Sequence, residues 1–410
     1  MNSIHATETS APDMIIPQAA RLDNVKEYYF AGKLRELRTR MAAGEDIINL
    51  GIGNPDMAPA EETIKSLIQT AVEPHAHGYQ PYKGIPALRN AFASWYLDMY
   101  GVTLNPDEEL LPLMGSKEGI MHISMAFLNP GDEVLFPDPG YPTYASVTRL
   151  VQAVARPYQL SADKNWEPDL EALEQQDLSR VKIMWINYPH MPTGAAGSKE
   201  LFSKLVAFAR RNNILLCHDN PYSLVLNPEP RSIFSVPGSS EVAVELNSLS
   251  KSHNMAGWRV GMVTGNKLYI DTIQKVKSNM DSGMFLGLQQ AAISALSNSF
   301  EWHRNRNTEY ARRKETACTL LDKLNCTYDS AQVGMFVWAK TPEGCTGFEL
   351  SDNVLDETLV FLTPGGIFGE AGNHYIRISL CTPQHRLTEA LERIQQWSEG
   401  QTSDKIAQLR

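Results

Sequence analysis

Cysteine is scarce in this chain, five in 410 residues, at Cys217, Cys318, Cys326, Cys345 and Cys381. No two form a Cys-x-x-Cys pair, so neither a disulfide framework nor a zinc site is indicated, and no metal is expected. An odd, scattered set fits a reducing cytoplasm, which is the expected location. Basic charge is in deficit as well, 37 Lys and Arg against 47 Asp and Glu, for a net charge of −10. A nucleic-acid partner calls for a clustered basic face, so none is expected. No uncharged apolar stretch is long enough to span a bilayer, which removes a membrane from the expected partners. Residues 1–17 lack a basic segment leading into a sustained apolar core, and no signal peptide is read there. Internal repeats, low-complexity tracts and linker-like composition are also missing.

What is present is ordinary in amount and informative in order. The length allows two substantial cores, and 43% hydrophobic with 20% charged residues fits a globular chain. Residues 1–17 read as a flexible lead-in. Helices are expected over 27–43, 61–71, 85–100, 168–177, 200–212, 301–324 and 387–398, with another running from Gly115-Ser-Lys-Glu-Gly119 to Phe127. Strands are expected over 46–50, 110–114, 133–136, 151–158, 181–186, 214–218, 242–246, 335–338, 360–362 and 375–379. Strands alternating with helices predict an α/β fold, a mostly parallel sheet covered by helices on both faces. The pattern changes after about residue 290. A large domain is therefore expected over 49–290 and a smaller α/β domain over 291–410, joined by the N-terminal segment 1–48.

One stretch organises the rest: Asn247-Ser-Leu-Ser-Lys-Ser-His-Asn-Met-Ala-Gly-Trp-Arg-Val-Gly-Met262. A lysine between an apolar strand and a glycine-containing turn is poorly placed to be a solvated surface charge. Desolvation and nearby cations lower a lysine pKa, which suits Lys251 to Schiff-base chemistry. Arg259 with the hydroxyls of Ser248 and Ser250 could meet a phosphate, since the guanidinium fork matches its oxygens. Lysine plus phosphate site implies a phosphorylated aldehyde, with pyridoxal 5'-phosphate as the leading candidate.

Ligands in open α/β sheets lie beyond the carboxyl ends of the strands. Asp219 directly follows Ile214-Leu-Leu-Cys-His218, where a carboxylate could keep a pyridine nitrogen protonated. Gly115, Ser116 and Lys117 lie between a strand and a helix, where main-chain N–H groups can cradle phosphate. Arg377 alternates with isoleucines in Tyr375-Ile-Arg-Ile-Ser379 and needs an anionic partner if it points inward.

These segments resemble the class I/II aminotransferases of PLP fold type I, from about residue 48 to 381. The carriers are the Ser-x-Ser-Lys run with Gly-x-Arg-x-Gly, Asp219-Asn-Pro-Tyr222, Gly115-Ser-Lys-Glu-Gly119 and Asp138-Pro-Gly-Tyr-Pro142. The last two, with Val276-Lys-Ser-Asn-Met-Asp-Ser-Gly-Met-Phe285, look most like the branch of LL-diaminopimelate and alanine aminotransferases. The resemblance implies that Lys251 holds the cofactor and moves the proton. It makes Asp219 the partner of the ring nitrogen, Tyr222 a donor to the phenolic oxygen and Tyr141 the stacking aromatic. Arg377 would clamp the substrate α-carboxylate, with Ile52 and Gly53 closing over it. Tyr79, five residues before Gly84-Ile-Pro86, matches the tyrosine that reaches the phosphate of a neighbouring subunit, so a two-fold homodimer with shared sites is expected. The implied reaction is ping-pong transfer of an amino group between an L-amino acid and a 2-oxo acid.

One position departs from the family. Where Asn-Pro-Thr-Gly is usual, the chain reads Asn187-Tyr-Pro-His-Met-Pro-Thr-Gly194, and Met191 cannot donate the hydrogen bond that asparagine gives the phenolic oxygen. Either Tyr222 alone holds that oxygen, or His190 or Asn187 substitutes; His190 otherwise reads as a surface histidine. No arginine in the 270s matches the one used for a distal carboxylate, which disfavours a plain aspartate aminotransferase. A PLP-dependent C–S lyase on the same fold, or a degenerate PLP-binding protein without catalysis, is the alternative.

Overall fold

The computed structural model describes residues 15–23 and 29–408. The lead-in expected over 1–17 lies almost wholly outside them, as does the start of the helix expected from residue 27. The helix Tyr29–Ala42 delivers the chain to a two-residue strand, β1 (Ile48–Asn49). The frame of the molecule follows. Its strands are β2 (Leu110–Leu113), β3 (Glu133–Asp138), β4 (Val154–Gln159), β5 (Val181–Ile186), β6 (Leu215–Asp219), β7 (Ala243–Ser248) and β8 (Gly261–Gly265). They form one sheet in the order β2-β8-β7-β6-β5-β3-β4. Every pairing is parallel except those of β8, which runs antiparallel to β2 and β7.

Sequence explains where the strands sit. The residues of β6, β7 and β8 are buried throughout, as strands of a sheet covered on both faces must be. β4 carries Pro157, which has no N–H for a ladder, and it lies at the sheet edge where that is tolerated. Alternate residues of β5 feed two different cores: Met184 and Ile186 pack with the helix Lys199–Asn212, whereas Ile183 and Trp185 pack with Ile120 and Ile123 of the helix Ser116–Phe127. Helices therefore cover both faces.

A second, smaller α/β unit surrounds an antiparallel sheet of β9 (Thr327–Tyr328), β10 (Phe336–Lys340), β12 (Thr363–Pro364) and β13 (Tyr375–Ser379), in the order β12-β13-β10-β9. β11 (Val360–Phe361) pairs in parallel with β1. Ile48 and Leu50 share a core with Val337, Ile376, Ile378 and Leu387, so the chain around β1 packs into this unit.

Some boundaries differ from expectation. The strand expected over 151–158 begins only at Val154, because Thr143–Leu150 is a helix that ends at Val151. The helix expected over 168–177 shrinks to Leu170–Glu174, and the last helix runs from Gln384 to Gln408. Helices Lys267–Lys277, Leu286–Leu296 and Gly347–Thr358 were not expected. In Leu286–Leu296 the reason is physical: it is wedged against Glu61–Ala71 and Pro86–Tyr100 and apolar on most sides, so it lacks the one-sided period of a surface helix.

Candidate active site

A cavity of about 510 Å³ opens beyond the carboxyl ends of the large sheet's parallel strands. Lys251 stands at its wall. β7 ends at Ser248, whose hydroxyl accepts the Ser250 N–H at 3.1 Å and starts the short helical turn Leu249–Ser252. β8 returns at Gly261, where a Cβ would lie 2.8 Å from Asn247 O and 2.9 Å from Ser116 N, so only glycine permits this approach. The Lys251 ammonium donates to the carbonyl of Gly53. Burial pushes its pKa down, and the charges of Arg377 and Arg259 add to that, against an opposing pull from Cys381. An amine so placed is readily deprotonated, as a nucleophile and base must be.

At one end of the cavity the donors suit a phosphate. Gly115 takes φ +87°, and a Cβ there would lie 2.2 Å from Arg259 Nη2. The helix Ser116–Phe127 begins at this glycine with no side-chain cap, leaving its first amides directed at the cavity. Ser248 Oγ lies 2.9 Å from Ser250 Oγ, and Arg259 Nη1 reaches Ser250 Oγ at 3.3 Å and the carbonyl of Ala256 at 2.8 Å. Lys117 is exposed, yet it also lines the cavity.

At the other end Asp219 is buried. Its Oδ2 accepts the Tyr144 hydroxyl at 2.8 Å, and its Oδ1 has no hydrogen-bond partner. Burial raises this carboxyl to about 6, with the Tyr144 hydrogen bond and the nearby His218 pulling it down. A buried carboxylate oxygen without a donor is costly. A protonated ring nitrogen is the donor that would satisfy it. Orphaned acid, amine and phosphate cradle around one cavity together fit pyridoxal phosphate. Tyr222 follows Asp219 by three residues, and its ring meets Phe336 edge-on with centroids 5.8 Å apart. Tyr141, beside the cavity, meets Tyr144 edge-on at 5.6 Å.

Arg377 points inward from β13, as its alternation with isoleucines requires, and is 4% exposed. Its guanidinium carbon lies 3.9 Å from the ring centroid of Phe336 and 4.6 Å from that of Phe368. Nη2 donates to Gly51 O at 2.7 Å, and Nη1 lies 3.3 Å from Met191 Sδ. Gly53 packs so tightly that a Cβ would lie 2.4 Å from the Phe336 ring, while the Ile52 side chain is exposed at the mouth.

Asn187 and His190 lie close to Met191 in the chain, and each is held by its own bonds. Asn187 donates to the carbonyl of Asp219 at 2.6 Å and accepts the Met191 N–H at 2.8 Å, so its amide is anchored to the backbone. His190 is buried, contrary to the surface position expected, with Nδ1 2.8 Å from Thr193 Oγ1. Burial lowers it to about 3, so it is neutral. Tyr222 also lines the cavity, whereas His190 does not.

Twelve of the fourteen expected site residues line this one cavity, and Gly115 lies directly behind Arg259. Tyr79 does not: it is 94% exposed, in a groove with His77, Gln80 and Phe285. Tyr144, Phe336 and Leu34 are among the cavity residues that were missed. Tyr144 is one helical turn beyond Tyr141, but only the unexpected helix Thr143–Leu150 aims it at Asp219. Phe336 and Leu34 come from far along the chain, and no local pattern marks them.

Residues 45–394 match the family model for aminotransferase class I and II. An LL-diaminopimelate aminotransferase of Natranaerobius thermophilus is 42% identical over 92% of this chain and 98% of its own length. One from Dehalococcoides mccartyi is 39% identical over 91% and 97%. Among solved structures, substrate-bound BacF from Bacillus subtilis superposes with a TM-score of 0.90 at 33% identity, covering 94% of this chain and 98% of that one.

Proposed function

Because the chain belongs to the class I and II aminotransferases, we propose that the cavity at the carboxyl ends of its strands is the active site and that Lys251 is its catalytic base. The protein is a pyridoxal-phosphate-dependent enzyme that moves an amino group between an L-amino acid and a 2-oxo acid. Lyase and non-catalytic alternatives are not favoured, since these relatives are named aminotransferases.

The observation that carries the assignment is the pairing of a depressed lysine with the orphaned Asp219 Oδ1 around one cavity. When bound, pyridoxal phosphate supplies a carbon that accepts the amino group and a cationic ring that absorbs the electron pair released at Cα. Asp219 accepts a hydrogen bond from the protonated ring nitrogen and keeps it charged. Ser248, Ser250, Arg259 and the main-chain amides at Gly115, Ser116 and Lys117 hold the phosphate. Tyr141 stacks on the ring, and the Tyr222 hydroxyl bonds its phenolic oxygen. Arg377 takes the substrate carboxylate as a bidentate pair, with Ile52 and Gly53 shielding it from water. Lys251, as a neutral amine, removes the Cα proton on one side of the reaction and returns it on the other. The second 2-oxo acid uses the same groups in reverse, which is ping-pong turnover.

The exposed Tyr79 is read as reaching the phosphate of a second subunit, so the working unit is a homodimer with shared sites, in the cytoplasm. We assign residues 49–290 to the cofactor domain and, among the described residues, those before 49 and after 290 to the smaller one. No helix among the described residues is long and apolar enough to cross a membrane. The relatives' name makes LL-diaminopimelate the first donor to assay. The test is the visible spectrum of the loaded protein as single amino acids are added without oxo acid. Conversion to the pyridoxamine band supports transamination and identifies the donor class; release of ammonia and pyruvate from a thioether amino acid would replace it with lyase chemistry.

A further inference from the structure

His218, the residue before Asp219 on β6, is not touched by the reaction. Strand side chains alternate, so it points to the opposite face of the sheet, where it is fully buried. Its Nε2 lies 2.8 Å from the carbonyl oxygen of Tyr188. A carbonyl only accepts, so Nε2 carries a hydrogen. Its Nδ1 lies 2.7 Å from Oε2 of Glu245 on β7. That oxygen also accepts the Ile233 N–H at 2.8 Å, and Oε1 accepts the Tyr96 hydroxyl at 2.7 Å. Unless the shared proton sits on Oε2 itself, both ring nitrogens are donors. Two donors other than the imidazole, the Ile233 N–H and the Tyr96 hydroxyl, already occupy both oxygens, which favours an ionised glutamate and with it an imidazolium ring. Buried ion pairs persist where every polar atom finds a partner, and neither residue has an unpartnered side-chain atom. Phe202 closes on the imidazole edge-on at 5.1 Å. The other titratable groups bonded around the pair are tyrosines: Tyr96 on Glu245, and Tyr100, which accepts from Asn247 at 3.1 Å.

This pair bears on the active site from behind. Tyr188, whose carbonyl it holds, lies between Asn187 and the turn to Met191. Asn187 in turn holds the carbonyl of Asp219 and the N–H of Met191. The positive ring is one residue from a buried carboxylate that desolvation pushes toward its neutral form, and its charge pulls the other way.

We propose that the His218 imidazolium, paired with Glu245, is a positioning residue: from the far face of the sheet it keeps Asp219 ionised and the Asn187–Met191 turn in place. What this does to the cofactor rests on assigning Asp219 to the ring nitrogen; the charge of His218 does not.

Histidine-selective nitrogen-15 labelling of the full-length protein, with His218→Asn to assign the signal, reads the ring directly. Two ring N–H signals are expected at the pH of the activity assay; a neutral ring with one N–H would overturn the proposal. Cofactor labelled with nitrogen-15 in its ring is then loaded onto wild type, His218→Asn and Glu245→Gln. The ring nitrogen is expected to be protonated in wild type and to move toward its unprotonated shift in both variants. Cofactor Kd should rise about tenfold, the equivalent of one pKa unit. Where His218→Asn does not fold, Glu245→Gln, which keeps shape and an acceptor for Ile233, carries the test. Folded variants with a lower Tm but unchanged ring shift and Kd would make the pair merely structural and overturn the proposal. An unprotonated ring nitrogen in wild type sinks the assignment of Asp219, and the cofactor half of the proposal with it, even with two N–H signals from His218.

Discussion

Asp219 and Glu245 are both buried carboxylates on adjacent parallel strands, with His218 aligned to Glu245 and Asp219 to Leu246 across the ladder. They are used in opposite ways. Glu245 has His218, Ile233 and Tyr96 around its two oxygens. Asp219 has Tyr144 on one oxygen and nothing on the other. A saturated buried acid has nothing left to offer a ligand and serves the fold. A half-satisfied one stores an unmet demand, and that demand is what binding a cofactor can answer. The contrast also explains their sides of the sheet, since Glu245 faces packed side chains and Asp219 faces a cavity.

The comparison is bounded above by Lys251. In Lys251→Ala the fold should persist while turnover falls by on the order of 10⁴-fold, the upper scale of acid–base catalysis. Steady-state assays with a responsive donor check this, and retained turnover would remove Lys251 from the chemistry. Asp219→Asn should lower kcat by about 10²–10³-fold, the range for removing one preorganised electrostatic partner, with far-UV circular dichroism unchanged.

The two acids should then separate in stability. Glu245→Ala leaves His218 as an uncompensated buried charge and should cost about 3–5 kcal/mol in urea unfolding. Asp219→Asn should do the reverse in cofactor-free protein. Its carboxyl titrates near 6 in the fold against an ordinary 3.8. The native state therefore holds the proton more tightly than the unfolded chain, and the stability lost to Asp219 grows as pH rises between those values. Asp219→Asn should gain on the order of 1–3 kcal/mol at neutral pH and above, and little below pH ~4. A destabilised variant at pH 8 would show that Asp219 is as structural as Glu245. The smallest effect is expected at Met191. In Met191→Asn a second donor near Tyr222 should shift the pH titration of the bound cofactor's visible band down by about one unit, with kcat changed less than about tenfold. An unmoved titration would mean that position 191 does not reach the phenolic oxygen.

Much of this site was legible before any coordinates. Strand ends in an α/β pattern mark where ligands go, and Lys251, Asp219, Tyr222 and the Ser248–Arg259 turn each follow an apolar run closely. Arg377 was readable from the cost of burying a guanidinium between isoleucines. What stayed hidden depended on direction and distance. His190 looked like a surface histidine because nothing local shows that the turn folds beneath Asp219. The helix Leu286–Leu296 was unreadable because burial on most sides erases the period that marks a helix.

By itself, then, the order of residues determined the architecture and the chemical inventory: alternating apolar runs dictate the sheet, and a lysine, an acid, a tyrosine and an arginine stand at its strand ends. Only the tertiary structure decided which of those groups are answered by others. Tyr144 meets one oxygen of Asp219, Met191 lies against Arg377, and His218 is bound to Glu245. The physical reason is that a hydrogen bond is settled within about 3 Å, and the partners that settle these lie 27, 75 and 186 residues apart along the chain.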